Sequence, residues 1–215
     1  MVAPDRRRPK LSLVDWCTMS DDVTFWFDPS CPFTWRTSRW LLALTAARNL
    51  TIDWRLMSLA VLNEDEPVSP RVQTSQEGGR RAGRLLIAVD EKYDTDAVER
   101  LYTEIGIRVH DEGRDIDERV LTEALGAAGL PAHLYFAVED DEMDEYLVES
   151  HYEGQDRVGT EAGSPIIAIG DAPGFFGPIV VPVPEGEAAE KLFDAVRLLS
   201  AVPEFSELKR ARNRI

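Results

Sequence analysis

One cysteine stands where a fold can make a thiol reactive. The segment Val23-Thr-Phe-Trp-Phe-Asp-Pro-Ser-Cys-Pro-Phe-Thr-Trp35 has the pattern of a strand that leads through Cys31 into a helix. A cysteine at the first turn of a helix faces unpaired backbone N–H groups and the positive end of the helix dipole, and both favour its thiolate. Pro32 fits the same turn, because its missing N–H costs no hydrogen bond there. We therefore predict a reactive thiol at Cys31; the alternative is a small buried hydrophobic residue, as many free cysteines are.

The side chains next to Cys31 could support such chemistry. Thr34 could donate its hydroxyl to the thiolate, although a threonine in a first helical turn can equally bond its own backbone. Trp26, Phe33 and Trp35 carry rings that could stack on a flat substrate. Aromatic residues beside a strand–helix junction also commonly belong to the core, and for Trp26 the core is the favoured interpretation.

The flanking segments predict the element that presents Cys31. Residues 23–27 alternate as a strand, apolar residues recur at helical spacing from 33 to 49, and residues 52–56 alternate as a second strand. Two strands joined by a helix are expected to lie parallel in one sheet with a right-handed crossover. Cys31 then lies at the carboxyl end of the first strand, where α/β folds place their sites.

The rest of the chain predicts a long helical segment and then more sheet. Residues 63–154 hold several segments of helical periodicity and no persuasive strand. Strand character returns at 164–169, residues 175–181 can pair back as a hairpin, and residues 187–200 predict a closing helix. The order β-α-β, helices, β-β-α predicts an α/β fold with a large all-helical insertion.

This order divides the chain into three parts. Residues 21–62 and 155–215 would form the sheet domain, and residues 63–154 the inserted helical domain. Residues 1–20 carry a basic run without clear periodicity and are predicted to be a flexible N-terminal extension.

The extension contains two features that bear on the site. Met19 directly precedes the first convincing strand, so the start of the functional chain is either Met1 or Met19. Cys17 is then irrelevant or, as the less favoured alternative, a resolving partner for Cys31.

Composition and charge exclude several classes of protein. The 39 acidic and 24 basic residues give a formal charge of −15, which disfavours binding to nucleic acid and to anionic membranes. No apolar run is long enough for a membrane span, and the basic run at residues 6–8 is not followed by the apolar region of a signal peptide, so a cytoplasmic location is predicted. Two cysteines and three scattered histidines predict neither a disulfide scaffold nor a metal site.

The order of elements, with Cys-Pro-x-x opening the first helix and Gly-Ser-Pro before a late strand, resembles a thioredoxin fold with a helical insertion, as in the DsbA-like family. Further motifs resemble the actinobacterial mycothiol-dependent nitroreductase branch of that family over residues 23–210. These motifs are Phe27-Asp-Pro-x-Cys-Pro, Ser38-Arg-Trp, Met57-Ser-Leu-Ala-Val-Leu-Asn-Glu64, Gly159 to Ile166, Phe176-Gly-Pro and Glu204 to Lys209.

The resemblance implies roles for four residues. In the family the first cysteine of a Cys-x-x-Cys pair attacks, the second resolves, and a cis-proline loop faces the pair. Cys31 matches the first cysteine, and Pro165, preceded by Ser164, matches the cis-proline. Thr34 stands where the second cysteine belongs, so Cys31 can form mixed disulfides but cannot close a disulfide with its neighbour. The resemblance further implies mycothiol or another small thiol as co-substrate and no tightly bound cofactor. Related folds often pair, so a homodimer is one alternative, but the sequence does not fix the oligomeric state.

Two polar residues mark the ends of the predicted insertion. Asn63 and His151 would lie where a cleft between the sheet domain and the insertion opens, and a substrate could bind there. The alternative, which is favoured, is that each is an ordinary hydrogen-bonded residue.

Three functions are compatible with the sequence. The leading hypothesis is a thiol-dependent oxidoreductase that uses Cys31 alone in mixed-disulfide chemistry with a small thiol or disulfide substrate. The second is a thiol-binding transferase or isomerase similar to kappa-class glutathione transferases, in which the reacting thiol belongs to the ligand. The third is a redox-silent binding protein of the same fold.

Overall fold

Four strands form one mixed sheet, in the spatial order β2-β1-β3-β4. The structure, a computed structural model, describes residues 22–211. Strand β1 pairs in parallel with β2 and antiparallel with β3, and β3 pairs antiparallel with β4. The strands are β1 Val23–Phe27, β2 Ile52–Leu56, β3 Ile166–Ile169 and β4 Phe175–Phe176. The predictions for the extension 1–20, including Cys17 and the choice between Met1 and Met19, lie outside the described residues.

Helix α1, Pro32–Arg48, connects β1 to β2. Cys31 is its extended N-cap residue and Pro32 opens its first turn, as the sequence predicted. The helix ends at Asn49, which adopts a left-handed conformation (φ 51°) and returns its N–H to the carbonyl of Thr45. The β-α-β unit therefore places Cys31 directly after β1.

The segment between β2 and β3 is helical throughout. Three of its α-helices follow an N-cap residue whose side chain accepts a hydrogen bond from a backbone N–H of the first turn. These N-cap residues are Ser69, Asp94 and Asp117. Its elements are α2 Leu59–Leu62, α3 Pro70–Asp90, α4 Thr95–Gly106, a π-helix Ile107–Asp111, α5 Glu118–Ala127, a 3-10 helix Ala132–Glu139 and α6 Glu142–Val158. Helix α7, Gly186–Ser200, follows β4.

The apolar core joins the sheet to the inserted helices. Phe25 and Phe27 of β1 belong to the same buried cluster as Leu85 of α3 and Leu101 and Tyr102 of α4. The Phe27 and Tyr102 rings lie 4.2 Å apart between centroids. The insertion thus packs on the sheet itself, and its status as a separate domain stays a prediction.

Two local features differ from the sequence-based expectation. The helical periodicity of residues 63–154 does not indicate that α4 ends at Gly106 and continues as the π-helix Ile107–Asp111. The hairpin expected over 175–181 pairs only through Phe175 and Phe176. Gly177 and Pro178 end this strand, since proline has no N–H for the ladder.

Across residues 22–211, none of the helices is both long enough and apolar enough to span a lipid bilayer.

Candidate active site

Cys31 ends a tight loop that begins at Asp28. The Cys31 N–H donates to the Asp28 carbonyl over 3.1 Å, which closes the loop at the start of α1. The side chain is 4 % exposed, and its sulfur donates to the Ser164 carbonyl at 3.5 Å. The thiol is therefore buried against the segment that precedes β3.

The surroundings of Cys31 act in opposite directions on its ionisation. Burial raises the pKa of the thiol most strongly, and the nearby Asp28 carboxyl adds to the rise. The hydroxyl and N–H of Thr34 and the N–H of Phe33 lower the pKa, as donors to a thiolate do, but they do not outweigh burial. The expectation that the helix start alone would favour the thiolate is therefore wrong for this closed site, because a buried sulfur loses the hydration of its charge.

The Asp28 carboxyl holds the loop together from inside. It is 1 % exposed; Oδ1 accepts hydrogen bonds from the N–H and hydroxyl of Ser30 at 2.7 and 2.6 Å, and Oδ2 accepts from the Leu59 N–H at 2.6 Å. Burial raises the pKa of Asp28, while these bonds oppose the rise. The carboxyl thus ties the Cys31 loop to the start of α2. Sequence reasoning missed this role, and only the position of Asp28 directly after a strand hinted at it.

Thr34 and Ser164 meet next to Cys31. Their hydroxyl oxygens lie 2.5 Å apart, and the Ser164 hydroxyl also accepts from the Asp28 N–H at 3.1 Å. Both side chains are buried. The bond between Ser164 and Pro165 is cis, as the resemblance implied. The structure therefore brings together four predicted site residues: Cys31, Thr34, Ser164 and Pro165.

Trp35, in the first turn of α1, is buried and faces the inserted helices. It is 2 % exposed, and its indole N–H donates to the Asp111 carboxylate at 3.0 Å. The Arg39 guanidinium lies 3.9 Å from the ring centroid, and the His110 ring stacks at 5.9 Å. The ring is enclosed by the insertion, so it has no free face for a flat substrate.

His110 links the π-helix to the Cys31 loop. Its Nε2 lies 2.9 Å from the Pro29 carbonyl, to which it donates. Burial lowers the pKa of His110, so the neutral ring is favoured. The π-helix carries His110 and Asp111 as neighbours, and together they contact the loop and Trp35. Irregular helices of this kind often lie at functional sites, but no pattern in the sequence predicts one here.

Three further predicted residues are either half-buried next to Cys31 or part of the core. Pro32 and Phe33 are half-buried beside Cys31. Trp26 is buried in a second apolar cluster, with Met57, Ile166 and Ala168, where its ring packs on Gly154. This placement agrees with the core interpretation of Trp26.

The two residues at the ends of the insertion do not bond to Cys31. The Asn63 side chain donates to the Leu59 carbonyl and remains half-exposed at the end of α2. His151 is buried, and its Nδ1 accepts from the Ser58 N–H at 3.3 Å. Leu59 also binds Asp28, so both residues support the segment that anchors the loop.

Within residues 22–211, no group of three or more histidine, cysteine or acidic side chains has the arrangement of a metal site. The site instead offers a thiol, two hydroxyls and backbone N–H groups, which can bind and exchange sulfur compounds without a metal.

Comparison with protein families gives a match over most of the chain. The family model described as "Rv2466c-like: Mycothiol-dependent nitroreductase Rv2466c" matches residues 30–210. The matched region begins one residue before Cys31 and includes α1, the insertion, β3 and β4.

Individual relatives agree with the fold. An uncharacterized protein of Mycobacterium tuberculosis, Rv2286c, is 29% identical over 195 residues, which cover 89% of this chain and 82% of that protein. A probable DsbA oxidoreductase from Streptomyces coelicolor, SCO1869, superposes with a TM-score of 0.57 at 21% identity and covers 88% of this chain and 93% of that chain. The cytosolic disulfide reductase DsbM from Pseudomonas aeruginosa, solved with GSH, gives a TM-score of 0.57 at 14% identity, covering 83% of this chain and 100% of that chain. The thioredoxin-like, DsbA-like fold is thereby confirmed.

Proposed function

The chain belongs to the family of Rv2466c-like mycothiol-dependent nitroreductases, and from that premise we propose that it is an oxidoreductase that works through Cys31 alone. Its partner would be a low-molecular-weight thiol, mycothiol by family, bound as a co-substrate rather than as a resident cofactor. A disulfide or another small thiol-reactive molecule would be the second substrate.

The observation that carries the proposal is the pair of residues at the helix start. Cys31 is the free cysteine among the residues the structure describes. Thr34, where a resolving cysteine would stand, is buried and bonded to Ser164. A hydroxyl cannot attack a mixed disulfide as a thiolate does, so the second sulfur has to come from a separate molecule.

Each half of the cycle exchanges one sulfur–sulfur bond. In the first half, the Cys31 sulfur attacks a disulfide R–S–S–R′, forms Cys31–S–S–R, and releases R′–S⁻, which takes up the proton that the Cys31 thiol gives up. In the second half, the thiolate of mycothiol attacks the mixed disulfide, which releases Cys31 and forms a disulfide between mycothiol and R. The leaving Cys31 thiolate takes up the proton that the mycothiol thiol gives up. One mycothiol is consumed in each such cycle, and the disulfide between mycothiol and R takes the place of R–S–S–R′. Complete reduction takes a second mycothiol, which exchanges with that mixed disulfide, releases R–SH and leaves the disulfide of mycothiol.

The polar groups of the site support the ionised sulfur in both halves. The hydroxyl of Thr34 and the N–H groups of Thr34 and Phe33 favour the thiolate of Cys31. Pro32 and Phe33, half-buried beside the sulfur, and Pro165 would contact the substrate. Asn63, His151, Trp26 and Trp35 would then act through the packing around the loop. The reductive chemistry fits the cytoplasm, and we further propose a homodimer.

Intact mass spectrometry tests the proposal. The Cys17→Ser protein, which leaves Cys31 as the chain's single cysteine, is incubated with oxidised mycothiol and, separately, with oxidised glutathione. We expect one mycothiol adduct, its absence in Cys31→Ser, and its removal by reduced mycothiol. A protein that stays unmodified at every pH up to 9 contradicts the proposal.

A second candidate function has one observation in its favour. Burial raises the pKa of Cys31, which is the wrong direction for a nucleophile in the closed site. In a thiol-binding transferase or isomerase the reacting sulfur would belong to the ligand, and Cys31 would only line its site. If Cys31→Ser keeps turnover while a small thiol is still required, this second function replaces the first.

A further inference from the structure

The Ser164 hydroxyl connects two parts of the site without touching the Cys31 sulfur. It lies 3.1 Å from the Asp28 N and 2.5 Å from the Thr34 hydroxyl oxygen. A backbone N–H can only donate, so Ser164 accepts in the first contact. The hydroxyl proton of Ser164 is then left to find an acceptor of its own.

Burial decides where that proton goes. Ser164 is buried, and a buried hydroxyl proton without an acceptor costs free energy. Among the residues that the structure describes, the side-chain acceptor within hydrogen-bond distance of the Ser164 hydroxyl is Thr34. Either hydroxyl could donate in this contact, and the one that accepts must place its own proton elsewhere. With Ser164 as the donor and Thr34 as the acceptor, the proton that remains is that of Thr34, next to Cys31.

This direction leaves the Thr34 proton free for the sulfur. Thr34 is fully buried, and its hydroxyl lowers the pKa of Cys31, which is the effect of a donor to the thiolate. A neutral Cys31 thiol donates to the Ser164 carbonyl. Ionisation removes that donor and makes the sulfur a much stronger acceptor, so the Thr34 hydroxyl stabilises the thiolate more than the thiol.

We propose that Ser164 is a positioning residue, whose hydroxyl fixes the direction of the Thr34 hydroxyl so that Thr34 donates to the ionised Cys31 sulfur. In the thiolate state the hydrogen bonds would run in one direction: from the Asp28 N–H to Ser164, from Ser164 to Thr34, and from Thr34 to the Cys31 sulfur. Ser164 serves both states of the sulfur, with its carbonyl for the thiol and its hydroxyl, through Thr34, for the thiolate. The inference rests on the proposed function only in taking Cys31 as the reacting thiol.

The other ionisable groups that face the sulfur are the Asp28 carboxyl and the Tyr102 phenol. Neither side chain is bonded to the Thr34 or Ser164 hydroxyl in the structure. Removing the Thr34 hydroxyl therefore breaks no bond to either ionisable group. Removing the Ser164 hydroxyl also frees the Asp28 N–H, so the comparison with and without Thr34 is needed to isolate the part that acts through Thr34.

A double-mutant cycle on the Cys31 pKa tests the inference. The rate of iodoacetamide alkylation is measured against pH in the Cys17→Ser background, for Thr34→Val, Ser164→Ala and the double variant. We expect Thr34→Val to raise the pKa of Cys31 by about one, which is about a tenfold loss of thiolate below the pKa. Ser164→Ala should lower the amount of thiolate below the pKa by roughly two- to fivefold when Thr34 is present. In the Thr34→Val background the same change should lower it by less than about twofold.

Three controls separate positioning from general disturbance. Ser164→Thr keeps the hydroxyl and should restore the pKa. Thr34→Ser, still held by Ser164, should also keep it, which tests the chain even if Ser164→Ala folds poorly. Thr37→Val removes a buried hydroxyl on the same helix that bonds the carbonyls of Phe33 and Pro178, and it should leave the pKa unchanged.

Two results would overturn the inference. One is that Ser164→Ala lowers the amount of Cys31 thiolate equally with Thr34 and with Val at position 34. The other is that Ser164→Ala does not lower the amount of thiolate at all. No mycothiol is used, so a failure here is distinguishable from a failure of the proposed function, which the adduct experiment reads by itself.

Discussion

Gly106 lies against the Trp35 ring so closely that a Cβ atom on Gly106 would be 2.2 Å from a ring carbon. This contact joins the last residue of α4 to the first turn of α1, directly after Cys31. It explains how the insertion fixes Trp35, because only a residue without a side chain lets the ring approach the helix backbone.

Gly106→Ala should therefore destabilise the protein. The added methyl group forces the ring or the helix to move, and overpacking of this kind costs about 1–3 kcal/mol. Urea unfolding followed by tryptophan fluorescence measures the change. Gly126→Ala is the matched control, since nothing lies within 4 Å of its added Cβ and helix propensity favours alanine. Equal stability of Gly106→Ala and wild type would contradict the described contact.

Asp28→Asn should make Cys31 easier to ionise while weakening the fold. Removing the negative charge lowers the pKa of the thiol, since the Asp28 charge raises it. An amide has one acceptor oxygen, so it cannot replace both carboxylate oxygens that receive Ser30 and Leu59. Alkylation against pH and urea unfolding measure the two effects. Asp53→Asn, on half-exposed Asp53, should change neither, and a raised thiol pKa in Asp28→Asn would count against this account.

Asp144 should contribute stability that disappears in acid. Partial burial alone would raise its pKa, but hydrogen bonds and charges of Arg84 and Arg80 lower it to about 2. A carboxyl whose folded pKa is depressed stabilises the protein above its unfolded pKa of about 4, and this contribution is lost as the pH falls from about 4 to about 2. Asp144→Asn should cost about 1–2 kcal/mol at pH 7, after allowance for solvent screening, and much less at pH 2.5.

The neighbouring Asp141 provides the control for this pair. It also contacts Arg84, but its side chain is 90% exposed against 16% for Asp144. Asp141→Asn should change stability by less than about 0.5 kcal/mol at either pH. If the two variants lose equal stability in thermal unfolding at pH 7, burial of the Asp144 pair is not what matters.

His151 should make stability fall between neutral and mildly acid pH. Burial lowers its pKa, and Glu161 opposes this only in part. The unfolded chain binds the proton at about pH 6.5, whereas the folded protein resists it, so stability is lost as the pH falls through and below that value. His151→Gln, whose carbonyl can still accept from Ser58, should flatten the profile from pH 7 to 5. His133→Gln, at an exposed histidine, should leave it unchanged.

Thr34→Cys should convert the site to dithiol chemistry. A second thiol one turn after Cys31 could close an intramolecular disulfide, which the natural pair cannot form. We expect insulin reduction to appear in this variant and mycothiol adducts on Cys31 to become short-lived. Thr37→Cys, one turn further along the same helix, is the control that should not gain the activity. Absence of a disulfide in Thr34→Cys would show that the buried hydroxyl site does not accept a second sulfur.

Much of the fold was predictable because its signals are local. The β-α-β unit, the helical middle and the late β-β-α all follow from patterns within a few residues. The position of Cys31 at a helix start is local in the same sense.

The errors concern contacts between distant parts of the chain. The sequence allowed the Trp35 ring to stack on a substrate, but its indole N–H donates to Asp111, which lies 76 residues further along the chain. The sign of the thiol pKa was wrong because the dipole of α1 is visible in the sequence, whereas the burial that outweighs it depends on the Ser164 segment folding back. The π-helix has no sequence pattern that distinguishes it from a continuing α-helix.

Cys31 is covered by a segment that the ribosome makes much later than Cys31 itself. The sulfur meets the Ser164 carbonyl across 133 residues of chain. During synthesis at about 5–20 residues per second, the growing chain carries Cys31 without this cover for on the order of 10 s. Cys31 is 4 % exposed in the finished fold, so the thiol is more open to oxidants and to other thiols in that interval than at any later stage.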